Sequence, residues 1–253
     1  MSAVARRAKV DSGPALFFPV TSLAYIATNL AEVRRRIGEA ARDAGRDPGD
    51  VRLLAVSKTF GLDHVRAAAA AGQEDFGENR VQEALQKMDG LAELKIRWHL
   101  IGTLQSNKVR KAVPRFKAIH SVDSRRLLEA IDSAATEAGT TPELLVQVDL
   151  AGEATKHGAT HDEAMDIVRA AARCRSARCV GLMTIPPYFE QPEDARTYFA
   201  RLRDLRNTLL SEGLEPAMLR ELSMGMSHDF EIAVQEGATL VRLGTAIFGK
   251  RHI

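Results

Sequence analysis

Cysteine is nearly absent: Cys174 and Cys179 are the only two in 253 residues. Two thiols five positions apart make neither a disulfide framework nor a zinc cluster, and a reducing compartment is their simplest home. No apolar run approaches the roughly 18 residues needed to span a bilayer, and Ala15-Leu16-Phe17-Phe18 is too short for a secretory core, so a cytoplasmic protein is expected. No excess of charge exists either. The 35 basic and 33 acidic residues leave a formal charge of +2, which implies no general attraction to nucleic acid or membrane. The local exception, Lys108, Arg110, Lys111, Arg115 and Lys117, has only Phe116 as an aromatic and reads as a solvated helix face with its following loop. Finally, no glycine-rich turn follows the first strand, which weakens a nucleotide-binding open sheet.

What is present is apolar periodicity. Ile26, Leu30, Val33, Ile37 and Ala41 recur at helical steps and predict a helix over 22–44, stopped by Gly45 and Pro48. Short β-type runs follow at 52–58, 75–78, 97–102, 118–122, 144–150, 180–185, 221–224 and 240–245. Helical stretches such as 80–88, 124–138, 162–174 and 193–210 separate them. Eight β-α steps after one extra helix predict a single (β/α)₈ TIM-type barrel over residues 21–253, with 1–20 as a flexible N-terminal extension.

In such a barrel the chemistry collects at the ends of the strands, where the loops frame the mouth. Lys58 closes the first strand and by alternation shares a face with Leu54 and Val56, while Leu53 and Ala55 face the helices. An amine at the mouth can attack an aldehyde to form an imine; a lysine snorkelling into solvent is the bland alternative. Gly225 and Ser227 precede a helical stretch at 229–236, which Ser227 can cap. Gly244 and Thr245 end the eighth strand, and together these segments make a phosphate cup, the frequent place for one in this architecture. Arg242 shares a face with Gly244 and needs a buried partner: a ligand's pyridine nitrogen, or a carboxylate such as Asp149 or Glu78.

Six ordered strings carry a resemblance. They are Leu54-Ala55-Val56-Ser57-Lys58-Thr59; Phe76-Gly77-Glu78-Asn79 followed by Val81-Gln82-Glu83; Trp98-His99-Leu100-Ile101-Gly102 followed by Gln105-Ser106-Asn107-Lys108; Gly181-Leu182-Met183-Thr184-Ile185-Pro186; Leu222-Ser223-Met224-Gly225-Met226-Ser227; and Val241-Arg242-Leu243-Gly244-Thr245-Ala246-Ile247-Phe248-Gly249. Over residues 24–250 the chain resembles the pyridoxal phosphate homeostasis protein family. That resemblance implies a barrel similar to the N-terminal domain of alanine racemase, with pyridoxal 5'-phosphate, a form of vitamin B6, held as a Schiff base on Lys58. It further implies Arg242 facing the pyridine nitrogen, phosphate contacts from Ser227, Gly244 and Thr245 with Ser223 as a further candidate, and Asn79 beside the ring. His99 and Met183 are weaker carry-overs, with a satisfied strand-end histidine and a core methionine as their plain alternatives. Asp149 departs from the family, where asparagine is common.

Racemisation needs an acid/base on each face of the cofactor plane, and Lys58 serves one. Only Tyr25, Tyr188 and Tyr198 could supply a tyrosine, and four residues after Gly249 leave no room for a second domain. The expectation is therefore a carrier rather than a dedicated enzyme: a monomer that binds the cofactor reversibly and makes it available to apo-enzymes, without metal, nucleic acid or membrane. A pyridoxal phosphate-dependent amino-acid racemase and, further off, a Schiff-base aldolase are the alternatives.

Overall fold

The computed structural model describes residues 23–152 and 158–250. The expected extension at 1–20 lies outside the described residues. Helix α1, Ala24–Asp43, comes first, and its apolar stripe of Ile26, Leu30, Val33 and Ile37 is buried. Each such side chain contributes about 1.5–3 kcal/mol on burial, so a charge at Leu30 would cost the helix its seat.

Eight parallel strands then close on themselves in sequence order. They are β1 Arg52–Val56, β2 Asp75–Glu78, β3 Arg97–Leu100, β4 Ala118–Val122, β5 Glu143–Gln147, β6 Arg178–Met183, β7 Glu221–Ser223 and β8 Leu240–Leu243. Closure is made by β1 against β8, with Leu54 opposite Arg242. The covering helices are α2 Leu62–Ala70, α3 Val81–Gly90, α4 Val109–Ala112, α5 Arg125–Ala138, α6 His161–Ala171, α7 Arg196–Ser211, α8 Phe230–Gln235 and the short α9 Thr245–Phe248. The eight-stranded barrel with an added first helix is as expected.

All eight strand starts lie within two residues of the expected ones, and the second and fourth strands end as expected, but the other six stop short of their expected ends. The first strand stops at Val56 rather than 58, the third at Leu100 rather than 102, the fifth at Gln147 rather than 150 and the eighth at Leu243 rather than 245. The ladder continues for one hydrogen bond beyond each of several ends, such as Ser57 N–H to Gly77 O at 3.1 Å and Ile101 N–H to Glu78 O at 2.9 Å. The chain then turns away to build the mouth, and apolar content does not register that turn. Thr245 in particular opens α9 instead of ending a strand.

Two cores follow from the alternation. Leu53, Ala55, Phe76, Leu100, Ile119, Leu144, Leu222 and Val241 pack outward under the helices in one continuous cluster. The opposite parity fills the lumen, where Leu145, Val180, Met183 and Leu240 form a small apolar plug. The rest of the buried lumen is unusually polar for a barrel whose layers are commonly branched aliphatics: Asp75, His99, His120, Ser223 and Arg242 are all buried. No helix among the described residues is long and apolar enough to cross a membrane. The basic run at 108–117 is a solvated face, with Arg110, Arg115 and Lys117 paired to Glu137, Asp89 and Glu143.

Candidate functional site

The turn that presents Lys58 is pinned from behind. Thr59 sits at φ +70°, a region β-branched residues avoid and that costs on the order of 1–3 kcal/mol. Its N–H donates to Glu83 Oε1 at 2.8 Å. Beneath it the buried Lys87 ammonium donates to Ser57 O at 2.8 Å, to Glu78 Oε1 at 2.7 Å and to Glu83 Oε1 at 3.0 Å, while Ser57 Oγ donates to Glu78 Oε1 at 2.7 Å. Burial pushes the Glu78 carboxyl up from its ordinary value against the pull of Lys87. Glu78 Oε2 has no partner among the described residues. Burial alone would raise Glu83 as well, but the Thr59 amide and Lys87 outweigh it and hold that carboxyl low. The clamp lies outside the barrel wall, so it fixes the backbone on either side of Lys58 and leaves the lysine to the lumen side.

On that side Lys58 lines a cleft of about 310 Å³ together with Val56, Phe60, Asn79, Ile101, Ile185, Met226, Ser227, His228, Arg242, Gly244 and Thr245. Six of the nine residues singled out in the sequence are thus brought together: Lys58, Asn79, Ser227, Arg242, Gly244 and Thr245. A second cleft of about 740 Å³ adjoins it across Asn79, Ile101 and Ile185. Asn79 can reach this junction because Gly102 lets the backbones meet: a Cβ there would lie 2.2 Å from Asn79 O.

The other three lie elsewhere. Met183 is fully buried in the lumen plug. His99 and Ser223 are buried in the lumen below the cleft, His99 bonded to Asp75 and His120, and Ser223 to His120 and Arg242. Ser223 therefore touches Arg242 and does not itself line the cleft.

Ser227 also differs from expectation. The residue at the start of α8 is Asp229, whose Oδ1 accepts from Met226 N–H at 2.6 Å, and Ser227 makes no cap there. Its Oγ accepts instead from Gly244 N–H and Ala246 N–H, both at 3.3 Å. Two backbone amides thus converge on one neutral oxygen at long range, the arrangement a phosphate oxygen would occupy more tightly. Gly244 also lies close to β1: a Cβ there would stand 3.2 Å from Val56 O, so the two strand ends would have to shift by a few tenths of an ångström to take one. Helix α1 braces this loop from outside: Tyr25 Oη donates to Phe248 O at 3.0 Å and Asn29 Nδ2 to Ile247 O at 2.9 Å.

Arg242 resolves its two readings against a salt bridge. Nη1 donates to Ser223 O at 2.6 Å and Ser223 Oγ at 2.8 Å, and Nη2 to Thr184 O at 2.9 Å, all neutral acceptors. Glu78 is spent on Lys87, and Asp149 Oδ1 accepts from Ala151 and Gly152 amides. Burial pushes the guanidinium down to about 10 against the pull of Asp229, and no carboxylate among the described residues contacts it. It remains a cation at neutral pH, exposed to whatever enters the cleft. The donor set fits pyridoxal phosphate: an amine for the aldehyde, converging amides for the phosphate, and a buried cation for the ring nitrogen.

His120, Lys87 and Glu83 were not assigned roles from the sequence. Lys87 carried a usable signal, since it falls on the buried stripe of α3 with Ala84 and Met88 and lies one turn beyond Glu83. His120 carried none beyond its place in a strand.

The alanine racemase N-terminal domain model matches residues 23–252. The chain is 46% identical over 230 residues to the pyridoxal phosphate homeostasis protein of Pseudomonas aeruginosa, covering 90% of this chain and 97% of that one. It is similar to PipY of Synechococcus elongatus, solved with pyridoxal phosphate bound, at 40% identity and a TM-score of 0.79, covering 88% of this chain and all of that one. Alanine racemase of Clostridium difficile shares the fold alone, at 14% identity and a TM-score of 0.71, with 91% of this chain matching 58% of that one. With its barrel, its clamped strand-end lysine and these relatives, the chain belongs to the alanine racemase N-terminal domain family, among the pyridoxal phosphate homeostasis proteins.

Proposed function

We propose that this protein binds pyridoxal 5'-phosphate in the mouth cleft, with Lys58 joined to its aldehyde as an imine formed with release of one water, and serves cofactor homeostasis. The observation that carries the reading is the convergence of Lys58, Ser227, Gly244, Thr245 and Arg242 on one cleft in which the buried arginine contacts no carboxylate among the described residues. The cofactor supplies the aldehyde and a conjugated ring. The chain supplies the amine on a rigid turn, the Ser227, Gly244 and Thr245 end for the phosphate, Asn79 at the ring's flank, and Arg242 for the pyridine nitrogen, where a lasting positive donor discourages protonation of that nitrogen. A quiet ring suits a protein that holds the cofactor and releases it to apo-enzymes. In this reading it works in the cytoplasm as a monomer.

The test is the visible absorption spectrum of the purified protein with pyridoxal phosphate, before and after borohydride, beside Lys58→Ala. An imine band that becomes a reduced adduct mapped to Lys58 supports the reading; no band, or an adduct elsewhere, overturns it. Turnover of alanine or another amino acid that Lys58→Ala abolishes would replace homeostasis by catalysis.

A further inference from the structure

The lumen of the barrel holds an unbroken chain of side-chain hydrogen bonds that the cofactor reading leaves unused. Arg242 Nη1 donates to Ser223 Oγ at 2.8 Å, Ser223 Oγ lies 2.9 Å from His120 Nδ1, His120 Nε2 lies 3.0 Å from His99 Nδ1, and His99 Nε2 lies 3.0 Å from Asp75 Oδ1. Asp75 is in turn held by Arg97, Nε to Oδ1 at 2.8 Å and Nη2 to Oδ2 at 2.7 Å. The residues come from β8, β7, β4, β3 and β2. Strands β4 and β7 are not neighbours in the sheet, so the His120 to Ser223 contact crosses the lumen.

Donor inventory fixes the direction of this chain. An ionised Asp75 carboxylate only accepts, so His99 gives it the Nε2 proton, while Arg242 only donates and Ser223 Oγ accepts from it. With one proton on each ring, His99 Nδ1 then accepts from His120 Nε2–H, and His120 Nδ1 accepts the Ser223 hydroxyl proton. In that protonation every member is satisfied in one orientation. A chain ordered in this way is rigid, because turning any ring or hydroxyl leaves a buried donor facing a donor. It ends on a guanidinium that has three of its five N–H donors committed to Ser223 and Thr184, on a residue that lines the cleft.

We propose that Ser223, His120 and His99 are positioning residues that lock the plane of the Arg242 guanidinium, and so set how it meets the aromatic ring of the ligand at the mouth. The ligand part rests on the pyridoxal phosphate reading; the locking of Arg242 does not. Ser223 acts here through Arg242 and gives nothing to the phosphate.

The test uses the full chain with Ser223→Ala and, at a second link, His120→Gln. Without ligand, nitrogen NMR follows rotation of the Arg242 guanidinium about its Nε–Cζ bond. The wild type should show distinct, slowly exchanging η signals, and each variant should speed that rotation about tenfold or more. With pyridoxal phosphate, each variant should shift the absorption maximum and the pH midpoint of the ligand's band, while Ser223→Ala leaves the affinity for inorganic phosphate within about twofold. Unchanged η signals in a folded variant would sink the proposal, and a loss of phosphate affinity in Ser223→Ala would return that residue to the phosphate cup. If the wild type takes up no pyridoxal phosphate, the cofactor reading fails, and the guanidinium signals still decide the positioning role.

Discussion

The arginine buried in the lumen near the mouth is held differently from the cations at the other end of the barrel. At the end where the strands begin, Arg97 grips Asp75 and Glu74, Arg52 donates to Glu221 at 2.6 Å, and Arg220 and Lys117 both reach Glu143. Each of these cations meets a carboxylate. At the end where the strands stop, Arg242 is more deeply buried than any of them and meets only two carbonyls and a hydroxyl. A buried cation whose nearest carboxylate, Asp229, acts on it only at a distance costs stability. The contrast separates a rim of paired cations from the rim that carries the candidate cleft.

The sharpest way to break that comparison is to exchange the effects. Arg242→Leu should weaken pyridoxal phosphate binding about a hundredfold, the loss of a charged hydrogen bond worth roughly 2–3 kcal/mol, as read by spectroscopic titration. Glu221→Ala, at the other rim, should leave that affinity within about twofold. It should instead lower stability by about 2 kcal/mol in urea unfolding, because the 7% exposed carboxylate also accepts from Thr239 Oγ1 at 2.7 Å and its partners Arg52 and Arg220 are partly solvated. Similar effects of both changes on ligand binding would mean that the rims are not distinct.

Between the rims, His120 ties stability to pH. Burial first, then the neighbouring His99, Arg242 and Arg52, hold its imidazole well below the ordinary value, with Asp75 pulling weakly the other way. The folded value therefore lies below the unfolded one. As pH falls through about 6.5 the unfolded chain takes a proton that the folded chain refuses, so stability drops, at up to about 1.4 kcal/mol per pH unit. Asp75 moves in a separate window: burial would raise it, but Arg97 and His99 outweigh that and hold it low, so its contribution is lost only below about pH 4. Urea midpoints between pH 7 and 5 should fall in the wild type and flatten in His120→Gln; parallel slopes would remove His120 from the lumen's electrostatics.

How much of this could be read in advance divides along the same line. The barrel was legible because a wall strand must alternate, and Leu53 and Ala55 against Leu54 and Val56 do so without exception. The candidate cleft was legible where a residue type is constrained by its own backbone or chemistry: Lys58 at a strand end, Gly244 where a Cβ would crowd Val56 O, Arg242 two residues before it. What stayed hidden depends on pairs distant in sequence. Nothing local says that His120 and Ser223, 103 positions apart, share a hydrogen bond across the lumen. Nor does anything local say that Ser227 turns toward Gly244 and Ala246 when a helix start lies two residues ahead of it; Asp229 had taken that place.

Ser227 gives the smallest effect and the finest test of the rim that carries the cleft. Its Oγ makes two 3.3 Å contacts to amides, each weak because a hydroxyl oxygen is a neutral acceptor at long range. Removing it in Ser227→Ala should cost the ligand-free protein less than about 1 kcal/mol, since Gly244 borders the cleft and water can replace the oxygen at its amide. The ligand should notice differently. A phosphate would lose one hydroxyl donor while keeping the Gly244 and Ala246 amides, so affinity for pyridoxal phosphate should fall about fivefold and affinity for pyridoxal, which lacks the phosphate, should not change. Equal losses for both compounds would place Ser227 at the ring or in the fold and not at the phosphate, and the cup would then rest on backbone amides and Thr245 alone.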